Sequence, residues 1–191
     1  MLRMLAASAL LLGLTTTQPA SAKACPTMKV LNESLERKLT GVPFQTVRKF
    51  FGGKPGHKWE ALSLFAASEF SSENSDFLSE SRYYQLKYAS LAADEKKQMA
   101  ADLVTKYLDV KSDKDLNVGA QTREKTLKAY AAETANKGVP SKDLFFAVNK
   151  DAEANLRDTF SRFVQSVQSK GLPQRDANGK ITYDTSYKNC K

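Results

Sequence analysis

Few side chains in this sequence have the type and spacing to do chemistry, and those that qualify are amides and carboxylates rather than nucleophiles. The stretch SEFSSENSDF sets Glu73 and Asn74 between Phe70 and Phe77. Taken alone, Ser71-Ser72-Glu73-Asn74 is a helix N-terminus: a serine oxygen can accept from an unpaired backbone N–H, and Glu73 suits the positive end of the helix dipole. Asn117 precedes Thr122-Arg123-Glu124 as a turn residue before a helix. Asp158 and Arg162, four apart, can pair on one helix face, or Asp158 can cap a helix. An asparagine amide both donates and accepts, so it can serve a desolvated contact without the cost of burying a charge. His57, the only histidine, lies in a Gly-Pro loop without a partner that would make it a base. The chain has no HExxH, no GxSxG, no Walker loop and no paired cysteine–histidine spacing, so hydrolytic and metal enzymes lack their parts and no cofactor is expected.

The N-terminus has to be set aside before the elements that position these residues are sought. MLRMLAASALLLGLTTTQPASA carries Arg3, an apolar run from Met4 to Leu14, and Ala20-Ser21-Ala22, which fits the small-x-small cleavage rule. It reads as a secretory signal peptide over 1–22, because the apolar run falls well short of the roughly 20 residues a bilayer-spanning helix needs. A lipidated Cys25 fits less well: Ala22 stands where such signals want a larger apolar residue, and Lys23 intrudes. The mature chain, 191 residues less the 22 of the leader, has 169. It is expected to be secreted or periplasmic, with no membrane span after cleavage.

Cys25 and Cys190 are the only cysteines and lie near the two ends of that mature chain. In an oxidising compartment they are expected to form one disulfide; otherwise they are two free thiols. A chain of this length suits one domain with a proper core. Removing Arg3 takes the net charge from +8 to +7, with lysines and carboxylates interspersed and no block of like charges. This describes a solvated mixed surface rather than a nucleic-acid footprint, though adhesion to an anionic surface stays open.

Between Gly- and Pro-containing breaks the apolar residues recur at three and four, the period of helices packing one face. Val30, Leu31, Leu35 and Leu39 mark one helix, closed by Gly41. Phe77, Tyr84, Tyr88 and Leu91 mark another, and Met99, Leu103 and Tyr107, with Val104 and Leu108, a third. Leu127, Tyr130 and Ala131 mark a helix that Gly138 closes in a left-handed conformation. The run Phe145, Val148, Ala152, Leu156, Phe160, Phe163 and Val167 is one long helix or two meeting near Asp158. Period-two alternation is confined to a short Ile181-Tyr183 piece after the Asn178-Gly179 turn. The expectation is an all-α, single-domain bundle.

Leu62, Phe65, Ser68, Glu69, Phe70, Ser71, Glu73, Asn74 and Phe77 fall in register with a known signature. Asp115-Leu116-Asn117-Val118 with Thr122-Arg123-Glu124 supplies a second block. Phe145, Ala147, Asp158, Phe160, Arg162, Phe163 and Ser166 supply a third. In these blocks the chain resembles the regulator of G-protein signalling (RGS) domains, all-helical GTPase-activating domains for heterotrimeric G-protein α subunits. Leu78 stands where the family usually has tryptophan, Gly119 where it has aspartate, and Ala154 where a partner-facing leucine is common. The spacing between Leu156 and Asp158 runs short of the family's, and 42–56 looks like extra sequence.

The resemblance implies catalysis by differential binding, in which the domain holds the α subunit's switch segments in their transition-state shape and donates no catalytic group. On that basis Glu73 and Asn74 would contact one switch segment, Asn117 would lie near the glutamine that orients the attacking water, and Asp158 with Arg162 would hold the remaining contact. Export separates the chain from cytosolic α subunits, and fold does not carry function with it. The favoured reading is therefore an exported RGS-like domain binding a protein partner around Glu73, Asn74 and Asn117. A GTPase-activating protein for a G-protein α subunit is the alternative. The expected divisions are 1–22 leader, 23–56 N-terminal helices and insertion, 57–170 helical domain, and 171–191 a tail tied back by the disulfide.

Overall fold

The recurring apolar positions wind into helices in the structure, a computed structural model that describes residues 23–40 and 58–191. The expected leader, Gly41, His57 and the extra sequence at 42–56 lie outside the described residues. The helices are α1 (Met28–Thr40), α2 (Lys58–Ser68), α3 (Glu73–Lys87), α4 (Ala93–Tyr107), α5 (Ala120–Thr134) and α6 (Phe146–Lys170). A two-stranded antiparallel hairpin follows, β1 (Leu172–Arg175) and β2 (Ile181–Asp184). The all-α expectation holds. Among the described residues no helix is long and apolar enough to cross a membrane.

Helix α3 packs against α1, α4 and α6. Phe77 meets Tyr107 and Phe145 edge-on, with ring centroids 5.3 and 6.1 Å apart. All three rings are fully buried, and each such burial is worth roughly 1.5–3 kcal/mol before conformational entropy is counted. Helix α6 is one continuous element rather than two, presenting Val148, Ala152, Leu156, Phe163 and Val167 to the core. Phe160 is only half-buried, tilted against Phe163.

Several polar groups inside this core are paired. The Trp59 indole N–H donates to Ser79 Oγ at 2.7 Å, and Ser81 Oγ donates to Asn149 Oδ1 at 2.6 Å. The Tyr84 hydroxyl donates to the Pro140 carbonyl and the Tyr107 hydroxyl to Glu80 Oε1. Burial pushes the hydroxyls of Tyr83, Tyr84 and Tyr107 above the ordinary tyrosine range; Glu95, Tyr88 and Glu80 respectively add to the effect.

Two local expectations are corrected. Helix α5 ends at Thr134 and continues as a 3₁₀ turn, Ala135–Lys137, in which Lys137 rather than Gly138 takes the left-handed conformation, with φ +64°. Gly138 is needed for closeness instead: a Cβ there would stand 2.0 Å from the Glu133 carbonyl oxygen. The expected apolar face of α5 is also shallow, with Leu127 and Tyr130 half-buried and Ala131 exposed.

The Ile181-Tyr183 piece pairs back on β1, in the register Leu172↔Asp184 to Arg175↔Ile181. Strand β1 packs on α2, and Leu172, Tyr187 and Cys190 join the hydrophobic core. The expected disulfide between Cys25 and Cys190 is present. Around it the Cys25 N–H donates to the Lys191 carbonyl and the Asn189 N–H to the Gln168 carbonyl near the end of α6.

Candidate partner-binding surface

Helix α2 ends in a tight reversal. The Ser71 N–H donates to the Ala66 carbonyl at 2.9 Å and the Phe70 N–H to the Ala67 carbonyl, the paired bonds of a Schellman termination. That motif puts its last turn residue in the left-handed region, where glycine is usual. Here the residue is Phe70, with φ +57°. Its side chain is 97% exposed, so a conformation that costs a non-glycine residue roughly 1–2 kcal/mol is not compensated by packing.

Helix α3 starts immediately after, and the serines do not cap it as the sequence pattern implies. Ser72 already has helical backbone angles, and its hydroxyl accepts from Lys114 Nζ at 2.7 Å instead of from a backbone N–H. Glu73 and Asp76 do sit in the first turn at the positive end of the dipole. Asn74 is not on the open surface, being 7% exposed. Helical phase explains this: Asn74 shares its face with Phe77, Leu78 and Ser81 at i+3, i+4 and i+7, all buried. Its amide donates to Glu73 Oε1 at 2.9 Å, while its carbonyl oxygen is buried without a hydrogen-bond partner among the described residues.

The loop between α4 and α5 lies against this helix start. Lys114 reaches Asp76 Oδ2 at 3.1 Å as well as Ser72. Leu116 and Val118 turn into the core, which leaves Asn117 between them exposed. The Val118 N–H donates to the Leu116 carbonyl at 2.8 Å, so Asn117 is the apex of a three-residue turn. The turn reading of Asn117 and its outward placement therefore hold together. Arg123 pins the loop from inside, donating to the Leu108 and Leu116 carbonyls, and it forms an ion pair with Asp115 at 2.7 Å.

The middle of α6 carries the remaining candidates. Asp158 is inside the helix, so it is not a cap; it pairs with Arg162 one turn on. Arg162 also donates from Nε and Nη2 to the Glu69 carboxylate at 3.1 and 2.9 Å. These bonds, to Glu69 first and Asp158 second, raise the guanidinium pKa above its ordinary value. Higher on the same helix, Asn155 Nδ2 donates to the Asn117 carbonyl at 2.6 Å and Asp151 Oδ2 accepts from the Gly119 N–H.

The α2–α3 turn, the α4–α5 loop and one stripe of α6 thus meet, joined by Lys114, Asn155 and Arg162. Glu73, Asn117, Asp158 and Arg162 border this surface, and Asn74 lies behind Glu73. Phe70, Glu69 and Lys114 belong to the same surface, with Asn155 half-buried beside Asn117, and none of the four was among the expected site residues. Phe70 and Glu69 stand in the quoted motif, whereas no pattern marks Lys114 or Asn155.

Residues 55–169 match the profile of the regulator of G protein signaling domain, over more than half of the chain. The chain belongs to the RGS family. No curated protein matches the chain. RGS domains bind proteins, and as GTPase activators they work by binding rather than by supplying catalytic groups. The surface described above lies within the matched residues. The hairpin and both cysteines lie outside them.

Proposed function

We propose that this chain is an exported RGS-like module, secreted or periplasmic after loss of 1–22, that binds a protein partner through the surface around Glu73 and Asn117. Asn74 contributes from behind by holding Glu73, and Asp158 and Arg162 extend the contact along α6. The observation that carries this reading is the placement of Asn117. Two buried neighbours and a bonded carbonyl fix its backbone, so its amide meets a partner with little ordering left to do. The exposed Phe70 ring at the same surface supplies apolar area of the kind that anchors interfaces.

A second reading, GTPase activation of a heterotrimeric α subunit, is favoured by family membership and by that same outward amide. One experiment separates the two. Purified domain is added to an α subunit and single-turnover GTP hydrolysis is timed, with Asn117→Ala beside it. The primary reading expects no acceleration. Acceleration that Asn117→Ala abolishes replaces it with the second. Mass spectrometry of the secreted chain checks export, and a mature N-terminus other than Lys23 contradicts the proposed cleavage.

A further inference from the structure

Asn155 is separated from Asn117 by 38 positions and is half-buried on α6. Its side-chain amide donates to the Asn117 carbonyl, at the apex of the turn, at 2.6 Å. Every other anchor of the loop grips a residue to one side of the apex: Arg123 and the Tyr107 carbonyl hold Leu116, Asp151 holds the Gly119 N–H, and Lys114 ties the loop to α3. A three-residue turn has a single internal hydrogen bond, so a donor to its apex carbonyl adds directly to what the buried Leu116 and Val118 already hold. We infer that Asn155 is a positioning residue: it sets the direction in which Asn117 faces the partner, without itself touching the partner. This rests on the proposed role of Asn117 at the binding surface.

The sharpest perturbation is Asn155→Asp, which keeps the shape but replaces the donor with an acceptor facing the Asn117 carbonyl. Asn155→Gln restores a donor. Amide hydrogen exchange on the free, disulfide-bonded chain reads the anchor without any partner. Asn155→Asp is expected to speed exchange at Val118 and Gly119 about tenfold at an unchanged global unfolding midpoint, and Asn155→Gln to recover most of the protection. Unchanged exchange in Asn155→Asp overturns the inference.

Affinity for an α subunit loaded with GDP and aluminium fluoride is the second readout. If Asn117→Ala weakens binding, Asn155→Asp is expected to weaken it by a similar factor; full affinity in Asn155→Asp overturns the positioning role. If neither variant changes affinity, the proposed surface fails for that partner, and the exchange data alone decide the anchor.

Discussion

Replacing Phe70 with glycine should make the domain more stable. The residue holds a left-handed backbone conformation with its ring 97% exposed, so removing the side chain forfeits almost no buried area. Relief of the left-handed conformation returns about 1–2 kcal/mol. The greater freedom of glycine in the unfolded chain takes back about 0.5–1 kcal/mol. The net expectation is a gain of about 0.5–1 kcal/mol, which in a domain of this size raises the melting temperature by roughly 2–4 °C per kcal/mol. Phe70→Ala is the control, because it removes the ring but keeps the backbone cost, and it should leave the urea midpoint nearly unchanged. A lowered midpoint in Phe70→Gly, or a loss above about 1 kcal/mol in Phe70→Ala, would refute the reasoning by showing that the ring is packed in solution. Both variants should also bind a partner of the proposed surface more weakly. Stability gained alongside affinity lost is the mark of strain kept for function.

Two further outcomes follow from the fold. Reduction, or Cys25→Ser with Cys190→Ser, opens a loop spanning 165 positions, for which the chain-entropy model gives an upper figure of about 5 kcal/mol; guanidinium titrations should show a loss of about 2–5 kcal/mol, and a shift under about 1 kcal/mol would mean the hairpin holds without the bond. Tyr83, Tyr84 and Tyr107 have folded-state pKa values raised above the unfolded value near 10, so their stabilising effect is complete below that pH and is lost as pH climbs beyond it, by up to about 1.4 kcal/mol per pH unit for each. Urea midpoints at about pH 9 and about pH 11 should fall accordingly, with tyrosinate absorbance appearing in the unfolding transition and not before it.

Elements whose register is set locally could be read directly from the sequence. Leu31, Leu35 and Leu39, or Met99, Leu103 and Tyr107, recur with the helical period and are buried as that period implies. Elements that depend on distant chain could not. The hairpin showed only as Ile181-Tyr183 because its partner strand contains Pro173 and is held by contact with α2. Ser72 looked like a cap, and the competing cation, Lys114, comes from another loop. Gly138 looked like a left-handed closure, whereas its constraint is the approach of the Glu133 carbonyl. At the candidate surface, the pairing of Asp158 with Arg162 was legible from spacing; the addition of Glu69 to that pair was not. Asn74 was assigned to the surface by motif alone, and its own helix turns it inward. The conformation at Phe70 leaves no trace in composition or periodicity, since phenylalanine, unlike glycine, does not mark a left-handed position.

The covalent bridge between Cys25 and Cys190 also decides how the molecule answers a pull. Tension arriving through the segments beyond those two residues runs from sulfur to sulfur and never enters the bundle. The helices between them stay slack while the strand outside is stretched.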